Sequence, residues 1–161
     1  MGRHRRRNLI LALALLLLPA VNPAARAAAA REDAEGIFRA ARGYTVRVRT
    51  EISTPFAEDT RGAFLGAGFV VDAARGWIVT NAHVVGQSPS VVHVAFADGP
   101  WLAARKVYVD SYADVAVLAI DARPGTLRQA ALECAELPQV GESVGAFGHP
   151  LGLLFTGSRG I

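Results

Sequence analysis

The chain has 161 residues, 52% of them hydrophobic, with seventeen Lys and Arg, fourteen Asp and Glu, and a formal net charge of +3. That length allows one domain, and a single cysteine, Cys134, excludes an intramolecular disulfide. Arg3, Arg5, Arg6, Arg7 and Arg26 precede residue 27 while every acidic residue follows it, so the remainder carries twelve basic against fourteen acidic residues, a balance of about −2; no Lys/Arg cluster interleaved with aromatics remains, which excludes nucleic-acid binding.

Residues 1–27 have the layout of a bacterial export signal: an Arg-rich start, the apolar run Leu9 to Leu18, Pro19, and small-x-small cleavage sites at Ala25-Arg26-Ala27 or Ala27-Ala28-Ala29. The apolar run is about half of the ~20 residues a helix needs to cross a bilayer, so no stable membrane span is expected after cleavage. Residues 28–42 are rich in alanine and charge and read as an N-terminal tether or short helix.

Residues 43–125 show short apolar runs broken by Gly, Pro, Asp and Asn, the pattern of an all-β barrel or sandwich. Tyr44, Val46 and Val48 alternate with Thr45, Arg47 and Arg49, which predicts a half-exposed strand over Tyr44–Thr50. Ala63–Val71, the turn Asp72-Ala73-Ala74-Arg75-Gly76 and Trp77–Thr80 predict a hairpin; Val91–Phe96 and Trp101–Val109 predict a second pair joined through Asp98-Gly99-Pro100. Val115–Ile120 is a near-continuous apolar strand, and six strands suit one closed barrel. Residues 126–161 read as a linker and two further strands, Ser143–Gly148 and Leu154–Ile161, joined by His149-Pro150-Leu151-Gly152: the start of a second, incomplete barrel.

His83, in Thr80-Asn81-Ala82-His83-Val84-Val85, and Asp114, opening Asp114-Val115-Ala116-Val117-Leu118, carry the strongest chemical signal. An imidazole serves as a general base towards a hydroxyl when a carboxylate on its other nitrogen fixes the tautomer and stabilises the imidazolium, and this pair suits those two roles. Asp110 is the nearest competitor for the acid. His4 falls in the signal, and His93 sits mid-strand between valines. Thr156-Gly157-Ser158-Arg159-Gly160 lacks the second glycine of a Gly-x-Ser-Gly-Gly nucleophile turn, Ser143 falls in a predicted strand, and Leu132-Glu133-Cys134-Ala135 carries no accompanying motif, so that Cys134 reads as a buried or idle thiol. No His/Cys/Glu spacing suits zinc, and neither metal nor organic cofactor is expected.

Gly66-Ala67-Gly68-Phe69-Val70-Val71, Gly76-Trp77-Ile78-Val79-Thr80-Asn81-Ala82-His83-Val84-Val85, Asp114-Val115-Ala116-Val117-Leu118, and Val140-Gly141-Glu142 with Gly148-His149-Pro150-Leu151-Gly152 together resemble, in order, the segments of trypsin-like serine proteases of the bacterial Deg type, also called the high-temperature-requirement family. His149 stands where that family usually has Asn. The resemblance implies two six-stranded barrels with a cleft between them, His83 and Asp114 on the first, and a serine-bearing turn roughly seventy residues beyond the aspartate. That lies past Ile161, so the chain is expected to be truncated before its nucleophile and inactive alone. By resemblance the function is a serine endopeptidase of the bacterial envelope, periplasmic or extracellular, acting on exported or misfolded polypeptides, with oligomerisation possible; the alternative is a non-catalytic half-protease that binds or complements a partner strand.

Overall fold

The computed structural model describes residues 34–56, 58–97, 99–122, 125, 127–135, 137–150 and 155–160. The export signal expected over 1–27 lies outside these residues. Residues 34–42 are helical (α1), and the chain divides into two compact units at 36/37. The second unit, residues 37–161, contains all the strands among the described residues.

Six antiparallel strands close into a barrel: β1 (Thr45–Ile52), β2 (Gly62–Asp72), β3 (Trp77–Thr80), β4 (Val91–Phe96), β5 (Leu102–Asp110) and β6 (Val115–Ala119), in the spatial order β1-β2-β3-β6-β5-β4. β1 pairs with β2 on one side and closes against β4 on the other, from Val46↔Phe96 to Glu51↔Val91. Closure leaves no free edge among the six. In β1, Val46, Val48, Thr50 and Ile52 are buried while Arg47, Arg49 and Glu51 face outward, as period-two alternation requires. The core is filled by Val46, Val48, Val70, Ile78, Val94, Leu118 and Ile120. A one-turn helix, α2 (Ala82–Val85), joins β3 to β4 and buries Val84 and Val85 on this core.

Two features depart from simple alternation. In the β5–β6 pairing the register shifts between Lys106 and Tyr108, a bulge that leaves Val107 and Tyr108 both exposed and returns Val109 to the core side. In β2, a Cβ on Gly66 would stand 2.6–2.7 Å from both γ-methyls of Val84, and one on Gly68 2.7 Å from the carbonyl oxygen of Val79. These two positions are glycine because α2 and β3 approach the β2 backbone too closely for any side chain.

The expected later strands form a two-stranded antiparallel sheet of β7 (Val144–Gly148) and β8 (Thr156–Gly160). Phe147 and Phe155 stack at 6.1 Å, and Phe38 of α1 meets their rings at 6.2 and 4.7 Å. α1 is thereby anchored: Phe38 packs on this sheet, and Thr45 Oγ donates to the carbonyl of Ala41 at 2.8 Å.

Gly66→Ala forces a stiff β-branched Val84 to move, an overpacking cost of about 1–3 kcal/mol. A lowered urea midpoint at constant m-value is the expected result, and an unchanged midpoint would contradict so close an approach. Thr50 is fully buried and its hydroxyl has no partner among the described residues. Thr50→Val removes this unpaired donor and is expected to raise stability by about 1 kcal/mol in the same titration.

Candidate active site

Thr80 ends β3 and donates its hydroxyl to the carbonyl of Ala67 at 2.8 Å. Asn81 follows in extended conformation, φ −81° and ψ 147°, and then the chain turns once through α2. Ala82, Val84 and Val85 of that turn are buried; the His83 side chain is 71% exposed. Gly86, at φ 65°, ends the turn by donating to the carbonyl of Ala82 at 2.8 Å.

The loop beyond is clamped from two sides. The Lys106 ammonium donates to the carbonyls of Val85, Gly86 and Ser88 at 3.4, 2.9 and 2.5 Å. Burial lowers the Lys106 ammonium's pKa, an effect that the Asp59 charge opposes. Asp59 itself accepts the Ser88 N–H at 2.6 Å. Burial works to raise its carboxyl, but the Ser88 and Gln87 donors outweigh that and hold it below the ordinary carboxylate value. Sequence reasoning missed both residues, since a lone Lys in a strand and a lone Asp in a loop carry no spacing signal.

Asp114 arrives from the turn between β5 and β6. Asp110 shapes this turn, its Oδ1 accepting the N–H groups of Tyr112 and Ala113 at 2.9 and 3.0 Å. The competing acid is therefore occupied as a turn residue. Asp114 itself has φ 54°, the left-handed region that a short polar side chain tolerates better than most. Its carboxylate meets His83 twice over: Oδ1 accepts the His83 backbone N–H at 3.0 Å, and the two oxygens lie 3.0 and 2.9 Å from Nδ1 of the ring. The amide of Asn81 adds a donor to Oδ2 at 3.1 Å and to the Asp114 carbonyl at 3.2 Å. The His83 backbone N–H first, then its ring and the Asn81 amide, hold the Asp114 carboxyl below its ordinary value of 3.8. An ionised carboxylate only accepts, so Nδ1 carries a proton, and in the neutral ring this tautomer leaves the lone pair on Nε2. Gln87 ties the same two loops again, donating to the Ser111 hydroxyl at 2.7 Å.

The other candidates lie apart from this pair. His93 sits in β4 opposite Arg49 and Ala103, its Nδ1 without a partner among the described residues. Ser158 is an exposed strand residue opposite Ala146 in β8, with none of the turn geometry of a nucleophile. Ser143 stands one residue ahead of β7 and accepts a bond from Arg159 at 2.8 Å. Cys134 is exposed, so of the two roles expected for it burial is excluded. His149 is buried with its ring 5.4 Å from that of Phe155, a packing role for the residue that departs from the family's Asn. Among the described residues no group of three His, Cys, Asp or Glu side chains is placed to hold a metal, and no helix is long and apolar enough to cross a membrane. An open cleft of about 360 Å³ reaches Asn81 and Asp114, walled by Thr45, Phe69 and Val115 of the barrel and by Phe147 of β7.

Residues 66–160 match the family model for the trypsin-like peptidase domain. The chain is 38% identical over 97 residues, 60% of its length, to the periplasmic serine endoprotease DegP of Salmonella typhimurium and to the serine endoprotease DegS of Escherichia coli, of which it spans 20% and 26%. Its fold superimposes on the crystal structure of a serine endoprotease from Yersinia pestis with a TM-score of 0.60 at 31% identity, covering 76% of this chain and 41% of that one. It thus spans about a quarter or less of the length of these curated relatives. With a closed six-stranded barrel, a match over residues 66–160 and Deg-type endoproteases among its relatives, the chain belongs to the trypsin-like peptidase domain family.

Proposed function

We propose that these residues form the histidine- and aspartate-bearing part of an exported serine endopeptidase acting on polypeptides of the bacterial envelope, with His83 as general base and acid and Asp114 as its orienting carboxylate. The observation that carries this reading is the approach of both Asp114 oxygens to Nδ1 of His83 at 2.9–3.0 Å. With the proton on Nδ1, Nε2 takes the proton of a serine hydroxyl as that oxygen attacks the scissile carbonyl. The imidazolium so formed is stabilised by Asp114 and returns the proton to the leaving amine. Asp114 does not itself become protonated.

The serine and the N–H groups for the oxyanion belong to a Gly-x-Ser-Gly-Gly turn, which residues 1–161 do not contain. The domain reading follows: a signal over 1–27, a tether over 28–42, the first barrel over 43–125, and a second barrel beginning within 126–161, where β7 and β8 pair. The names of the Deg relatives and the Arg-rich, Leu-rich N-terminus support export to the periplasm.

The test joins this chain in frame to a serine-bearing second barrel and measures hydrolysis of an unfolded protein substrate. His83→Ala is expected to lower kcat/KM by at least ~10³-fold, and Asp114→Asn by about 10⁴-fold, with KM little changed. Residues 1–161 alone are expected to show no turnover; activity surviving His83→Ala would overturn the assignment.

The pH response follows from the depressed Asp114 carboxyl. A carboxylate whose folded pKa lies below its unfolded value adds stability that is present above the unfolded pKa and lost as pH falls through the folded one. The His83–Asp114 bonds are therefore expected to persist from neutral pH to below 3.8 and to open only under stronger acid. Following the Asp114 carboxyl carbon by NMR between pH 7 and 2 checks this, and a midpoint above 3.8 would contradict it.

A further inference from the structure

Asparagine is among the most favoured helix N-caps because its short side-chain oxygen accepts an N–H from the second or third helical residue. Asn81 occupies the N-cap of α2 and makes no such bond. Its amide turns outward to a segment 33 residues later, reaching Oδ2 of Asp114 at 3.1 Å and the Asp114 carbonyl at 3.2 Å. The N–H left open by this choice belongs to His83, the second residue of α2, and Oδ1 of Asp114 accepts it at 3.0 Å. The two segments have exchanged roles: Asp114 caps the helix that carries the histidine, and the residue that would have capped it secures Asp114.

We infer that Asn81 is a positioning residue, whose side-chain amide fixes both the carboxylate plane and the left-handed backbone of Asp114 so that the two oxygens face Nδ1 of His83. This rests on the functional reading of the pair given above. Three physical points support it. A carboxylate 44% exposed is free to rotate into solvent unless each oxygen has a fixed donor, and among the described residues Oδ2 meets the ring and the Asn81 amide. A non-glycine residue at φ 54° relaxes towards negative φ unless its surroundings hold it, and the bond to the Asp114 carbonyl acts on that peptide unit directly. An amide also donates without bringing charge: a cation at this place would compete with the imidazolium for Asp114, and a carboxylate would repel it. The remaining acid of the turn, Asp110, is engaged by Tyr112, Ala113 and the Tyr108 hydroxyl and offers Asp114 nothing.

The test uses the 161-residue chain and reads three quantities: the Asp114 carboxyl titration, hydrogen exchange of the His83 amide, and the thermal midpoint. In Asn81→Ala no cap bond is lost, so the thermal midpoint is expected to stay near wild type. The Asp114 midpoint is expected to rise and the His83 amide to exchange at least ~10-fold faster. Should that variant fold poorly, Asn81→Ser keeps a capping residue in place and is expected to show the same rise in the Asp114 midpoint. A folded variant of either kind with wild-type titration and exchange overturns the inference. In the serine-bearing fusion, Asn81→Ala is expected to lower kcat roughly 10- to 100-fold at unchanged KM. Turnover surviving His83→Ala would defeat the proteolytic reading whatever the NMR shows, whereas an unmoved Asp114 beside an inactive His83→Ala defeats only the role of Asn81.

Discussion

The structure turns on one ladder pair. Thr80, the last residue of β3, lies opposite Ala116, the second residue of β6, so the chain leaving β3 and the chain arriving at β6 do so side by side. Three residues on from Thr80 stands His83; two back from Ala116 stands Asp114. A short pairing of this kind holds its register because the residues on its core side cannot be exchanged with those outside: Ile78 opposite Leu118 is buried, as are Thr80 and Ala116. A slip of one residue would turn those side chains to solvent and part His83 from Asp114.

The dependence runs from fold to site and not the reverse. The His83–Asp114 contact lies at 71% and 44% exposure, and ion pairs so open to water add little to stability. A four-residue helix is likewise far below the length at which a helix stands by itself. α2 persists because Val84 and Val85 are buried on the barrel, because Gly66 leaves Val84 its space, and because Lys106 gathers the carbonyls that the turn's end leaves open. Asp59, reaching in from the β1–β2 connection, closes the same loop from the other side. The bulge at Val107 returns Val109 to the core side after two exposed residues, so β5 reaches its turn at Asp110 with the inward face restored.

What the sequence could reveal followed from local rules. Alternation in Tyr44–Thr50, two predicted strand pairs and the apolar run from Val115 exposed six strands; Trp77–Thr80 and Val91–Phe96 have the expected bounds, and the others differ by one or two residues at one or both ends. The histidine and aspartate were legible because each stands beside a strand in a motif of several residues, His83 just past β3 and Asp114 just ahead of β6. The supporting side chains were not: Asn81 read as part of the histidine's motif, and its partner lies 33 residues away across a sheet whose register no local pattern states. Gln87 and Ser111, 24 residues apart, are hidden for the same reason. Gly66 and Gly68 were visible as a pattern, but their cause is Val84 and the Val79 carbonyl, contacts that exist only once the barrel has closed. The β5 bulge has no signature at all, since Lys106-Val107-Tyr108 continues an acceptable strand.

The exposure of the ring bears on the chemistry that the pair can support. Attraction between an imidazolium and a carboxylate scales inversely with the surrounding dielectric, and replacing bulk water by a protein-lined environment strengthens it roughly fourfold. In the cleft beside Asn81 and Asp114, Phe69 and Val115 offer apolar walls on the barrel side and Phe147 an aromatic one from β7. Under the proposed function, a polypeptide laid into this cleft would displace water from the edge of the pair and so strengthen a contact that contributes little to folding. The carboxylate is ready for that moment because backbone and amide donors keep it ionised and oriented beforehand. Orientation is thus supplied by the barrel and its exchanged caps, while the drying that gives the charges their effect is left to whatever covers them.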